Sequence, residues 1–304
     1  MPRQRKYKTL LYERDKEEPH IAYVILNRPE KNNAISIGPG EMTDEIQQAM
    51  NEASRDDSVK VVIFKGNGRN FSAGFDLSMV FRVYGGKPGV RPAQAKRLQI
   101  DYDHIMGMPR GVLNCSKVTI AQIHGWCIEA AIFIVESCDI AVAATNAKFA
   151  HRGQRLAFGG MPFMALEMFE GHTKKITELL ITGRTVSGKD AEEMGIITHA
   201  VPERDLDNEV HNLARAICNL PLDAIVMGKL NRRLVYDATG MNSVLAHVMF
   251  HTLGTNLVYA EDEKENVFIR DRERLGHRAA FHKLHDAYED LLGKTKSFKS
   301  YQGE

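Results

Sequence analysis

Apolar and polar positions along the chain mark out strands and helices in alternation. Lys8 to Glu13 and Ile21 to Leu26 are short runs of β-branched, aromatic and leucine residues separated by the charged stretch Arg14 to His20, and they predict an opening hairpin. From Gly40 to Ala53 the apolar residues Met42, Ile46, Ala49, Met50 and Ala53 recur at helical spacing. Lys60 to Lys65 is an apolar run closed by Gly66-Asn67-Gly68, the pattern of a buried strand ending in a turn. The unit then repeats, with a helix over Ala93 to Met106, a strand over Val118 to Ile123, a helix over Ile128 to Ser137 and a strand over Asp139 to Ala143. Met79 to Pro92, with three glycines and two prolines, predicts an irregular segment placed to act as a lid. Beyond Gly160 the pattern is almost wholly helical: Met161 to Phe169, Thr173 to Ile181, Gly188 to Met194, Asp205 to Asn219, Ala224 to Tyr236, Asn242 to Leu257 and Arg278 to Leu292. The Asn242 to Leu257 segment is apolar over more than one face, as an interface helix would be.

Composition narrows the class. The 304 residues carry 40 Lys and Arg against 39 Asp and Glu, a net charge of +1, which offers nothing to a nucleic acid. The apolar run from Ala130 to Val135 is far shorter than the roughly 20 residues that span a bilayer. Cysteines 115, 127, 138 and 218 have neither zinc-ligand spacing nor the density of a disulfide scaffold, and read as reduced thiols. The basic N-terminus lacks the apolar stretch of a secretory signal, so the expected location is the cytoplasm.

Three stretches carry the chemistry: LNRPEKNNAIS at 26–36, VVIFKGNGRNFSAGFDL at 61–77 and AEEMGIITHAVPERDL at 191–206. In this order and spacing they resemble the crotonase, or enoyl-CoA hydratase/isomerase, superfamily over nearly the whole chain. The resemblance implies an α/β fold of the ClpP/crotonase type. That is a ββα superhelix (residues 1–200) followed by a C-terminal helical trimerisation region (201–304), assembled as a homotrimer or dimer of trimers. It also implies an oxyanion hole, two fixed backbone N–H groups that stabilise charge on a thioester oxygen. The matching positions are Phe75, after Ala73-Gly74, and Ala130, at the start of a helix whose free N–H groups favour an anion. Lys31, Ala34, Asp76 and Leu77 fall, with Ala73 and Gly74, where the family holds its CoA substrate. No cofactor beyond that CoA and no metal is implied.

The segment 124–139, HGWCIEAAIFIVESCD, departs from the family in its centre. Glu129-Ala130-Ala131 replaces a glycine-rich run, and Phe133 and Gly153 stand where hydratases of the family carry their two catalytic glutamates. Hydration by a carboxylate pair is therefore disfavoured. His151, two residues before Gly153, is the candidate general base, histidine being a residue type suited to that role; the alternative is a loop histidine bonded to backbone. Glu129 is a second candidate, with a solvent-facing helix-cap acid as its alternative. Glu136 reads as a supporting or surface acid. Arg152 is a candidate carboxylate or phosphate ligand, Arg155 a structural salt-link, Tyr84 a loop residue near the site, and Trp126 a core residue. Phe133 would give the pocket an apolar wall suited to a bulky acyl group. His282 and His285 have metal-compatible spacing without acidic partners, and Asp101, Asp103 and His104 resemble ligands by composition only.

Three functional readings follow. The first is an acyl-CoA enzyme, a hydratase of unusual acid–base equipment or a hydrolase cleaving a C–C bond or ring in a bulky or cyclic acyl group. The second is a hydrolase of free β-diketones without CoA. The third is a catalytically silent binding or assembly protein.

Overall fold

The computed structural model describes residues 6–84, 93–156, 171–238, 240 and 267–295. β1 (Leu10–Arg14) and β2 (Ile21–Leu26) form the expected antiparallel hairpin, with Leu10 opposite Leu26. The helix α1 (Met42–Arg55) then buries the predicted stripe of Met42, Ile46, Ala49, Met50 and Ala53. Its buried Glu45 accepts bonds from the Lys8 and Thr9 amides and the Thr9 hydroxyl, and so anchors the start of the hairpin. β3 (Val61–Gly66), β4 (Val118–Ile123), β6 (Ile140–Ala144) and β9 (His199–Val201) complete a six-stranded sheet in the order β1-β2-β3-β4-β6-β9, parallel from β2 onward. All six residues of β4 are buried, as in a parallel strand covered on both faces.

A smaller sheet of β5 (Trp126–Ile128), β7 (Lys148–Ala150) and β8 (Thr185–Ser187) stands beside it, with β5 parallel to β7 and β8 antiparallel. Ile128 pairs with Ala150 in this sheet, a register that decides the geometry of the site. The chain passes from β5 of the smaller sheet to β6 of the main one through α5 (Ala130–Ser137), buried at every one of its eight residues. Its sequence is apolar on all sides because it has no solvent face.

Several segments differ from the sequence reading. Residues 77–84 form the helix α2 (Leu77–Tyr84), although an irregular stretch is predicted from Met79 onward; the breaking glycines and prolines all lie after Tyr84, its last residue. The single helix expected over 93–106 is divided into α3 (Gln94–Ile100) and a π-helical turn (Asp101–Ile105), and a further helix, α4 (Gly107–Leu113), follows. Pro109 is tolerated in the first turn of α4, where its missing N–H removes no helical bond. The segment from Trp126 is a strand before it is a helix. The second half is not wholly helical, since β8 and β9 interrupt it; three residues each are too few to show a period.

The remaining described helices are α6 (Thr173–Thr182), α7 (Gly188–Met194), α8 (Leu206–Cys218), α9 (Leu222–Ala238), α10 (Val267–Leu275) and α11 (His277–Leu292). α7 opens on a capping box between Ser187 and Asp190. α8 lies on the main sheet, where Asp207 bonds Gln122 of β4 and His211 meets Asp15, so the core continues past residue 200. The helices expected over Met161 to Phe169 and Asn242 to Leu257 lie outside the described residues. Among the described residues no helix is long and apolar enough to cross a membrane.

Candidate active site

The turn after β3 is held by side chains the sequence reading did not single out. Buried Asn33, at φ 53°, donates to the carbonyls of Asn67 and Asn70 and accepts from the Arg28 amide, joining the LNRPEKNN and GNGRN loops. The Ser72 hydroxyl donates to the Asn33 carbonyl and accepts from the Gly74 amide. The Asn32-Asn33 pair was the available signal, because asparagine tolerates positive φ and bonds nearby backbone.

The turn then runs between two neighbours. Ser72 exchanges backbone bonds with Trp126 and Ile128 on β5, at 2.9 and 3.1 Å. On the other side Ile35 donates to the Gly74 carbonyl and accepts from the Asp76 amide, both at 2.8 Å. A parallel bridge of this pattern uses residues 74 and 76, so the N–H of Phe75 points away from Ile35. Gly74 has φ 79°, and a Cβ there would lie 2.5 Å from the Ile128 carbonyl oxygen and 3.1 Å from the Glu129 Cβ. Only glycine lets the two backbones approach this closely.

Across that contact α5 begins. The Glu129 amide is bonded to the Ala150 carbonyl at 3.1 Å, the Ile132 amide to the Glu129 carbonyl at 2.7 Å, and no side chain caps the helix. Among the described residues the amides of Phe75, Ala130 and Ala131 have no hydrogen-bonding partner. A helix N-terminus set against a second free amide is suited to negative charge on oxygen.

Glu129 itself has φ 51° and ψ −117°, a conformation that glycine adopts freely and other residues avoid. Its carboxylate Oε1 lies 3.5 Å from His151 Nδ1, within ion-pair range but short of an aligned hydrogen bond. The His151 side chain is fully buried while that of Glu129 is 14% exposed. Among the described residues neither ring nitrogen of His151 has a hydrogen-bond partner, so no described backbone group ties it. Glu129 faces the imidazole rather than lying free on the surface as a helix-cap acid. Phe133 completes the cluster, its ring centroid 6.4 Å from Phe75 and 5.8 Å from His151.

The other candidates have contacts of their own. Asp76 pairs with Arg28 at 3.0 Å and Lys31 at 3.7 Å. Burial pushes the Asp76 carboxyl up, but the Ser78 hydroxyl and the two cations outweigh it and hold the group below the usual carboxylate range. Leu77 starts α2, and Ala34 and Ala73 are half-buried on either side of the Ile35 bridge. Arg152 lies over the Trp126 ring, 5.9 Å from its centroid, and donates to Thr185; burial and then Arg155 lower its pKa. Glu136 is buried within α5, not on the surface, and after burial itself it is its charge that raises the Cys127 thiol. Gly153 opens a short helical turn. Arg155 is structural as expected, pairing with Glu289 and the His285 ring on α11. Fully buried Asp101 pairs with Arg97, and among the described residues no three His, Cys, Asp or Glu side chains group as metal ligands. A separate cleft of about 470 Å³, lined by Leu11, Ile25, Lys65, His124 and Asp207, opens over the main sheet and includes none of the cluster around Glu129.

The two sheets, the glycine-turned strand end and the helix beginning against it make this an α/β protein of the crotonase type. The sequence profile described as enoyl-CoA hydratase/isomerase matches residues 16–256, and the chain belongs to that family. It is 27% identical over 264 residues to the mitochondrial Delta(3,5)-Delta(2,4)-dienoyl-CoA isomerase of Dictyostelium discoideum, covering 83% of this chain and 81% of that one. It is 29% identical over 200 residues to the hydroxycinnamoyl-CoA hydratase-lyase of Pseudomonas fluorescens, covering 65% and 69%. The crystal structure of an enoyl-CoA hydratase/isomerase from Xanthobacter autotrophicus superposes with a TM-score of 0.77 at 27% identity, covering 93% of this chain and 99% of that one.

Proposed function

We propose that the protein is an enzyme acting on an acyl-CoA thioester, with the amides of Phe75 and Ala130 as its oxyanion hole. The observation that carries this is the close backbone contact of Gly74 with Ile128 and Glu129, where Gly74 and Glu129 directly precede the amides of Phe75 and Ala130, unpartnered among the described residues. On this reading Lys31, Ala34 and the turn from Ala73 to Leu77 hold the CoA portion, and no further cofactor is used. Arg152 serves any anionic group of the substrate that reaches Trp126. The acid–base chemistry that Phe133 and Gly153 cannot supply falls to the pair of Glu129 and His151, which meet at 3.5 Å. Phe133 makes the acyl wall apolar, which favours a bulky or cyclic acyl group; the hydroxycinnamoyl-CoA hydratase-lyase among the relatives is named for an aromatic one. The reaction is hydration with this unusual equipment, or hydrolytic cleavage of a C–C bond or ring. We place the enzyme in the cytoplasm as a homotrimer or dimer of trimers.

A thermal-shift titration with CoA, a straight-chain enoyl-CoA, a cyclic β-ketoacyl-CoA and a cyclic β-diketone tests this. A ligand of the folded state stabilises by about 2.7 kcal/mol at 100 times its dissociation constant. The CoA compounds are expected to stabilise, the cyclic one most. Stabilisation by the diketone alone would replace the CoA reading with that of a free-substrate hydrolase, and stabilisation by none would leave a silent scaffold.

A further inference from the structure

We infer that Glu129 is the catalytic residue that exchanges a proton with the substrate, and that His151 is its positioning partner. The inference rests on the acyl-CoA reading and reverses the roles that residue type alone suggests.

Accessibility comes first. The His151 side chain is fully buried, with the Phe133 ring 5.8 Å from its own and the Glu129 carboxylate 3.5 Å from Nδ1, so of the two groups Glu129 is the one with solvent exposure. Glu129 retains exposure, its Oε1 is buried against the imidazole, and its Cβ abuts the turn that carries the Phe75 amide. The side chain is also held at both ends. Its backbone is bonded to the Ala150 carbonyl, and its carboxylate meets the ring of the very next residue, His151. A strained non-glycine conformation at this position is the mark of a side chain retained for function.

Charge accounting supports the same assignment. The Glu129 carboxylate takes the α-proton of the thioester. The C–H electron pair becomes the double bond of the enolate, and the carbonyl pair moves onto the oxygen between the Phe75 and Ala130 amides. The proton rests on Glu129, whose partly exposed carboxyl trades it with solvent before a proton, or in D2O a deuteron, returns to carbon. One negative charge therefore crosses from carboxyl to enolate, and the site never holds two. A carboxylate beside an anion hole, otherwise a liability, is neutral when the hole is charged.

Cyclohexanecarbonyl-CoA, which has an α-hydrogen but no double bond to hydrate, isolates this step. The wild-type chain in D2O is expected to exchange that hydrogen, seen as a gain of one mass unit, with binding followed by calorimetry. Glu129→Gln should lower the exchange rate by roughly 100-fold or more, the ordinary share of a general base, with affinity within about three-fold. His151→Leu should slow exchange by on the order of 10-fold at saturating ligand, and His151→Asn, which returns a polar atom near the Nδ1 position, should restore most of the rate; a purely packing role would favour Leu over Asn. Exchange that survives in Glu129→Gln, or that is lost as fully in both His151 variants, overturns the assignment. If the wild type binds the thioester but exchanges no faster than Glu129→Gln, the assignment falls and the acyl-CoA reading stands. If the wild type does not bind the thioester, both fall.

Discussion

Glu129 carries a cost that Gly74 does not. Both occupy positive φ, but only one lacks a Cβ. Relieving such a conformation is worth on the order of 1–3 kcal/mol, so Glu129→Gly is expected to raise the melting temperature by several degrees while abolishing α-proton exchange. A melting temperature unchanged or lowered would show that the contact with His151 outweighs the strain. At this scale the sequence was partly legible. Phe75 and Ala130 were reached through the resemblance to the family, whereas the glycine turn could be read from SAGFD, because close backbone approach restricts residue type strongly. The meeting of Glu129 and His151 could not. They are 22 positions apart, and only the register of β5 against β7, with Ile128 opposite Ala150, brings them together.

Among the elements, the long periodic ones were legible and the three-residue strands were not. α1 shows a full buried stripe, whereas β8 and β9 are shorter than two periods of anything. The buried helix α5 reads clearly as apolar but gives no clue to its first residue, which its backbone bonds decide. α9 is held to the core by ions rather than by a stripe. Its buried Lys229 lies 2.6 Å from Asp139, which also bonds Arg232 and Thr119. Asp139→Ala leaves the Lys229 ammonium buried without its partner. The expected loss is about 3 kcal/mol, measurable by urea denaturation, with α9 loosening first in hydrogen exchange.

For the whole molecule, acid should act through the C-terminal helix before the carboxylates. Burial, then the charges of Arg152 and Arg155, push His285 down to about 3, so the folded state holds it neutral. Between that value and the ordinary histidine range the unfolded chain binds the extra proton, and stability falls as pH drops from about 6.5. His285→Gln should flatten the melting temperature against pH between 7 and 4. Below about pH 4 a second loss follows from Asp76 and Asp15, whose folded pKa values are depressed and whose stabilisation disappears as they protonate. An unflattened profile would place the acid sensitivity elsewhere. The overall fold was legible because three spaced motifs specify one arrangement; this helix-to-core contact was not, since Arg155 and His285 are 130 positions apart.

Trp126 is the single tryptophan of the chain, on the strand that leads to Glu129, with Lys148 and Arg152 over its ring at 5.2 and 5.9 Å. Its indole emission thus comes from one known place and needs no introduced dye. The protein carries its own optical reporter, three residues from the group that handles the proton.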